Sequence, residues 1–257
     1  MATNVDIKQL LEAGAHFGHK TERWHPKMSQ YIHSKRNGSH IIDLTKTVEG
    51  LDKALSFLTK TASESKQILL VGTKRQAQDI IKQTAIETGM PYVTERWLGG
   101  NLTNWNTIGG RVKHLQDLEN RMESGELDNK YNKLEVQRFQ EEIDDMNVTY
   151  GGVKELNNRP GAMFIVDIVN DANALREAIK MNIPVVALVD TNADPSLVTY
   201  PIPANDDAIK TIELITGYVK TAILTGKAQV KVTPEEKAND KAEKAEAKTE
   251  KIEKVKI

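Results

Sequence analysis

Ala162-Met163-Phe164-Ile165-Val166-Asp167 and Pro184-Val185-Val186-Ala187-Leu188-Val189-Asp190 are two unbroken apolar runs, each closed by an aspartate. Runs without polar alternation belong to strands covered on both faces of a parallel sheet. The segment Asp171 to Lys180 between them reads as a helix, so the three form a βαβ unit with a right-handed crossover. Gln67-Ile68-Leu69-Leu70-Val71-Gly72 is a third such run. It leads into a helix carrying Ala77, Ile80, Ile81 and Ala85 that stops at Gly89, and Pro91-Tyr92-Val93 opens a further short strand. Strands alternating with helices define the class as α/β.

Upstream, Asn4 or Asp6 caps a short helix through Glu12, with Val5, Leu10 and Leu11 as its apolar points. From Ala13 to Gly38, aromatics, cations and glycines interleave without a period, which reads as an ordered, non-repetitive arm. His40-Ile41-Ile42-Asp43-Leu44 is a strand candidate. Thr45 or Thr47 then starts a helix with Val48, Leu51, Leu55 and Leu58 at helical spacing.

Downstream of the fourth strand lies Glu95-Arg96-Trp97-Leu98-Gly99-Gly100-Asn101-Leu102-Thr103-Asn104-Trp105. Gly99, Gly100 and the asparagines permit tight reversals, so this is a shaped loop. Trp97 and Trp105 are large anchors that would pin it in one conformation, and Arg96 is free to meet phosphate. Ile108, Val112, Leu115, Leu118 and Met122 then form a heptad-like seam, which Ser124-Gly125 breaks. A second stripe follows at Leu127, Tyr131, Leu134, Phe139, Ile143 and Met146, giving an antiparallel helical hairpin inserted in the α/β region. Tyr200-Pro201-Ile202-Pro203 is extended by its prolines. Asn205 or Asp206 caps a last helix that runs to Gly226. The expected division is an α/β domain over 1–104 and 150–228, a coiled-coil-like hairpin over 105–149, and a tail over 229–257. After Pro234 that tail has seven Lys against seven acids and few apolar residues, so it is expected to be disordered.

The net charge of −1 hides an uneven distribution. His16 to Lys46 holds six Lys/Arg against two acids, together with five of the six histidines. His114 to Pro160 holds eleven acids against six Lys/Arg. One basic face on a neutral chain is the pattern of a protein that touches polyanion on one side. The chain has no cysteine, which excludes disulfides and fits a reducing, cytoplasmic setting. Met1 to Leu11 lacks the apolar core of a secretory signal. No run approaches the ~18 apolar residues of a membrane span.

Three chemistries compete with polyanion binding. His16, His19 and His25 are imidazoles that suit zinc, but their spacing is not standard and no Cys or well-placed acid completes a ligand set. Cations beside flat side chains suit phosphate and base contacts better, so no metal is assigned. Val71-Gly72-Thr73-Lys74 has one glycine where a phosphate cradle needs several, although Lys74 and Arg75 at a helix start can meet an RNA phosphate. Asp167 and Asp190 close adjacent strands, where two carboxylates could hold Mg²⁺ for a phosphotransferase. No phosphate loop, base or nucleophile accompanies them, and Asp190-Thr191-Asn192-Ala193-Asp194-Pro195 has the composition of an Asx turn. That turn is the preferred reading.

His16-Phe17-Gly18-His19, Trp24-His25-Pro26-Lys27-Met28, Arg36-Asn37-Gly38, Val71-Gly72-Thr73-Lys74-Arg75, Arg96 to Asn104 and Pro184 to Asn192 occur in this order. Together they resemble the bacterial form of the second protein of the small ribosomal subunit. The likeness runs from the first helix to Gly226. It implies a Rossmann-like parallel sheet flanked by helices, a projecting hairpin, and a non-catalytic role without cofactor. It also implies binding to small-subunit ribosomal RNA and to neighbouring proteins, including docking of the large ribosomal protein numbered one, in a ribosome-bound, cytoplasmic chain that is not a homo-oligomer. The residues expected to touch RNA or partners are His16, His19, Lys20, Arg23, Trp24, Lys27, Lys35 and Arg36, with Lys74, Arg75, Arg96, Arg111 and Lys113 as secondary candidates. Gly109-Gly110 stands where relatives often carry charged helix formers, so the first hairpin helix is expected to start later or to flex.

Overall fold

The computed structural model describes residues 5–156 and 159–230. The tail expected from residue 229 lies, beyond Val230, outside the described residues. Helix α1 (Ile7–Ala13) is capped by Asp6, whose carboxylate accepts from the Lys8 N–H, and it ends at Gly14 with φ 81°. The arm is not the non-repetitive segment expected. β1 (Phe17–Lys20), β2 (Ile32–Arg36) and β3 (Ser39–Ile42) form an antiparallel sheet in the order β1-β3-β2, with 3₁₀ turns between β1 and β2. Register shifts on both sides of β3 break the period-2 pattern, which is why alternation did not show it. Asn37 and Gly38, at φ 50° and 78°, make the tight hairpin between β2 and β3. β3 stops at Ile42, because Asp43 turns its carboxylate to the Thr45 N–H, 2.9 Å away, as the N-cap of α2 (Leu44–Ser63).

The body is a five-stranded, wholly parallel sheet. It comprises β4 (Ile68–Val71), β5 (Tyr92–Val93), β6 (Ala162–Val166), β7 (Val185–Val189) and β8 (Tyr200–Pro203), in the order β5-β4-β6-β7-β8. The proline-rich segment is therefore an edge strand, where missing N–H donors do least harm. Counting only these five, the order is 2-1-3-4-5, the doubly wound arrangement with its topological switch between β4 and β6. Side chains alternate between two cores. Ile68, Leu70, Phe164, Val166, Val186 and Leu188 face α2, α3 (Gln78–Thr88) and α8 (Ile209–Ala228). Leu69, Val71, Met163, Ile165, Val185 and Ala187 face α7 (Ala172–Lys180), the Trp97 loop and Met28 of the arm. Asn205 and Asp206 do not cap α8 as expected. Ala208 holds that position, and the Asn205 side-chain oxygen Oδ1 accepts from the Asp207 and Ala208 N–H groups.

α4 (Trp105–Glu123), α5 (Glu126–Lys130) and α6 (Lys133–Tyr150) lie between β5 and β6. α4 starts at Trp105, not later. Gly109 belongs inside it because a Cβ there would stand 3.3 Å from the Trp105 indole nitrogen. The seam holds in α4, where Ile108, Val112, Leu115 and Leu118 are buried, and α4 meets α6 through Leu115, Leu118 and Ile143. Leu134, expected in the second stripe, is 60% exposed.

Candidate functional site

The carboxyl ends of β4 and β6 meet where an open parallel sheet offers its ligand crevice. Here the crevice is filled by the chain itself. Lys74, just beyond β4, places Nζ 3.1 Å from Asp167, 2.7 Å from Asp206 and 2.6 Å from Asp207. Its side chain is 14% exposed. Burial alone would lower its pKa, but the surrounding carboxylates outweigh that and raise it on balance. Asp206 is the acid most affected: burial, then the charges of Asp167 and Asp190, push it up to about 7 against the pull of Lys74. Asp167 stands at φ 70°, a conformation its carboxylate supports by accepting from the Val169 and Asn170 N–H groups.

The arm closes the same crevice from the side. His19 Nδ1 lies 3.1 Å from Asp190 and Nε2 3.4 Å from Asp207. Its hydrogen bond to Asp190 raises the imidazole pKa more than burial lowers it. Gly18 is required there, since a Cβ would come within 2.6 Å of Thr191 Cγ2. The His19 N–H donates to Thr191 Oγ1 at 2.9 Å and the His25 N–H to the Thr191 carbonyl at 2.7 Å. Lys27 reaches Asp194 and the Ser196 hydroxyl, both at 2.7 Å. Asp194 would be raised by burial, yet Lys27 and Ser196 hold it down at about 2. Asp194 accepts from the Ser196 N–H two residues on, an Asx turn, and the Asp190 carbonyl accepts from the Ala193 N–H, so the turn reading holds.

His19, Asp206 and Asp207 bring possible donor atoms within 4.8 Å of one another, a spacing a small cation could use. The Lys74 ammonium already sits against both of these aspartates, so the positive charge this cluster needs is supplied from within. His16 and His25 do not join that group. Asp167 and Asp190, the carboxylates of the phosphotransferase alternative, face Lys74 and His19 respectively.

The remaining candidates are disposed differently. Lys20, Arg23, Lys35, Arg36, Arg75, Arg96, Arg111 and Lys113 are all exposed, and among the described residues none is in an ion pair. Lys20 and Arg36 both pair in register with Ser39 of β3, from opposite sides, so the three side chains share one face of the small sheet. Phe17, 52% exposed, pairs with Ile41 on that same face. On the other face Trp24, 36% exposed, lies 5.2 Å from the His40 ring, with Lys35 Nζ 5.9 Å from the Trp24 centroid. His40 is buried and, among the described residues, neither nitrogen has a hydrogen-bond partner; burial, then Lys35, lowers its pKa. His16 is half-buried, and burial lowers its pKa too.

The tryptophan loop is held by a residue the sequence reading missed. Glu177 of α7 accepts from Trp97 Nε1 at 3.0 Å, from the N–H groups of Gly100, Leu102 and Thr103 at 2.7, 3.0 and 3.1 Å, and from the Thr103 hydroxyl. Burial would raise this carboxyl, but the converging donors lower it overall. The only hint was a glutamate in a helix facing an otherwise apolar layer, and its partners lie over seventy residues away.

The molecule is a doubly wound α/β protein whose strand-end crevice is filled by its own side chains. Comparison with known proteins gives the particular family: residues 10–226 match the model described as ribosomal protein S2, and the chain belongs to that family. It is 50% identical over 222 residues to small ribosomal subunit protein uS2 of Roseiflexus sp. (strain RS-1), covering 86% of this chain and 84% of that one. The protein of the same name from Coprothermobacter proteolyticus is 50% identical over 223 residues, 87% of this chain and 83% of its own. Small ribosomal subunit protein uS2c of Cyanophora paradoxa is 49% identical over 222 residues, 86% of this chain and 95% of its own. Membership makes the chain a structural, non-enzymatic ribosomal protein, ribosome-bound in the cytoplasm.

Proposed function

We propose that this protein binds small-subunit ribosomal RNA through the two faces of its small antiparallel sheet. Lys20 and Arg36 contact phosphates beside Phe17, while Lys35 and Trp24 serve the opposite face. The supporting observation is the contrast in pairing: eight exposed cations have no acidic partner among the described residues, whereas Lys27 and Lys74 are held by carboxylates. Arg75, Arg96, Arg111 and Lys113 extend the phosphate contacts toward α3, the tryptophan loop and α4. Residues 105–149 act as an inserted arm reaching neighbouring ribosomal components, and the protein works as a single copy. Docking of the large ribosomal protein numbered one uses the exposed apolar side of α1, where Ile7 and Leu11 lie one turn apart.

Sedimentation with salt-washed small subunits lacking this protein tests the reading. Arg23→Ala with Arg36→Ala should weaken association about tenfold and make its salt dependence shallower by roughly two phosphate contacts. Association unchanged in that variant, at every salt concentration, would overturn it.

A further inference from the structure

At the opposite end of the sheet, α2 and β8 enclose an open groove that the reading above does not use. Its walls are pinned at both ends by glycines. A Cβ on Gly50 would meet the Pro201 carbonyl oxygen at 2.6 Å, and Thr47 Oγ1 donates to the Pro203 carbonyl at 2.6 Å. A Cβ on Gly161 would meet the Lys66 Cβ at 2.7 Å. Between these points, two adjoining hollows of about 740 and 460 Å³ share Lys53 and Tyr200 in their walls. Tyr200 is half-buried and stacks on Phe57, with centroids 4.5 Å apart and planes 20° from parallel.

Lys46, Lys53 and Lys60 recur every seven residues along α2, so they stand in line about 10 Å apart. Lys46 is 3.4 Å from Glu49, and Lys66 is 2.8 Å from Glu64. Lys53 and Lys60 are exposed and, among the described residues, in no ion pair. Asp52, Glu49 and Glu64 also line these hollows, so the net charge of the groove is small and charge alone would give little affinity. The aromatic pair supplies the rest. Cations spaced along a groove with a ring in its wall match the way proteins hold unpaired nucleic acid, with phosphates on the cations and a base on the ring. A duplex keeps its bases stacked and offers nothing to Tyr200.

We propose that the α2–β8 groove is a second RNA site, specific for a short single strand, with phosphates on Lys53 and Lys60 and one base stacked against Tyr200. The test uses the full chain and fluorescence anisotropy with a labelled oligoadenylate and a duplex of equal length. The single strand should bind more tightly than the duplex. Lys53→Glu with Lys60→Glu should weaken single-strand binding about tenfold or more and make its log–log salt slope shallower by about 1.4. Tyr200→Leu should weaken binding without changing that slope, and Tyr200→Phe should retain it. Because these residues lie outside the arm sheet, association with small subunits should be unchanged in the lysine variant, while Arg23→Ala with Arg36→Ala should weaken that association about tenfold and keep the oligoadenylate. Equal affinity for single strand and duplex, or no loss in the lysine variant, would overturn the proposal. So would selective binding of an acidic peptide in place of the oligonucleotide.

Discussion

At the switch point of the sheet, Lys74 lies within 3.1 Å of three carboxylates and is largely shielded from water. On the arm sheet, Lys20 and Arg36 flank Ser39 on one face, both exposed and, among the described residues, in no ion pair. Both sets of cations sit beside strands and glycines in the sequence, and only the fold separates them. The first set holds the molecule together, because a buried charge stripped of its partner is expensive. The second contributes little to folding, because exposed charges are well solvated, and it is therefore free for a polyanion. Usefulness for RNA and importance for stability should thus run in opposite directions across these residues.

Lys74→Met gives the largest expected effect. It leaves Asp167, Asp206 and Asp207 facing one another without the ammonium, and should cost about 3–5 kcal/mol in urea unfolding. A change below about 1 kcal/mol would show that the cluster is solvated rather than structural. Glu177→Ala comes next. It orphans the indole and three backbone N–H groups of the tryptophan loop, and should cost about 2–3 kcal/mol with a red shift of tryptophan emission. Because the Glu177 carboxyl is lowered by folding, its contribution is present above its unfolded pKa and lost as pH falls through the folded value.

Asp206 predicts the opposite pH sense. Its folded pKa of about 7 lies above the ordinary 3.8, so its stabilisation is complete below 3.8 and disappears as pH rises through about 7. Between about pH 6 and 8 that amounts to about 1.4 kcal/mol, which Asp206→Asn should remove from the profile. His19, also raised, adds to the alkaline loss. His16 and His40, lowered, destabilise instead as pH falls through 6.5. The smallest effect on stability belongs to the arm cations. Arg23→Ala with Arg36→Ala should leave the unfolding midpoint within about 0.5 kcal/mol of the parent, even while association with small subunits falls.

The sheet was legible because its strands are long apolar runs, and a strand buried on both faces needs no subtler signal. The α3 stop at Gly89 and the turn at Asp190 followed from single-residue conformational preferences. Of the arm sheet only β3 was read as a strand; β1 and β2 were missed, because all of β2 after Ile32 is exposed and bulges interrupt the register on both sides of β3. Asn37-Gly38 was the available clue, a dipeptide suited to a two-residue hairpin. Leu134 shows the limit of an apolar stripe: a leucine at helical spacing still needs a neighbour to cover it. Among the candidate cations, residue type and position could not tell Lys74 from Arg75, next to it in the chain. Their difference rests on Asp206 and Asp207, more than 130 residues away.

Glu177 has a mechanical consequence. α4 has 19 residues and so extends about 28 Å from its root at Trp105. A tilt of about ten degrees at that root would swing the far end by about 5 Å, more than the length of a hydrogen bond. The loop before that root is fixed to the body by the buried Trp97 and Leu102 and by the Glu177 carboxylate that gathers its N–H groups. A side chain on α7 thus helps to set where α4 begins, although it touches no residue of that helix in a hydrogen bond among the described residues.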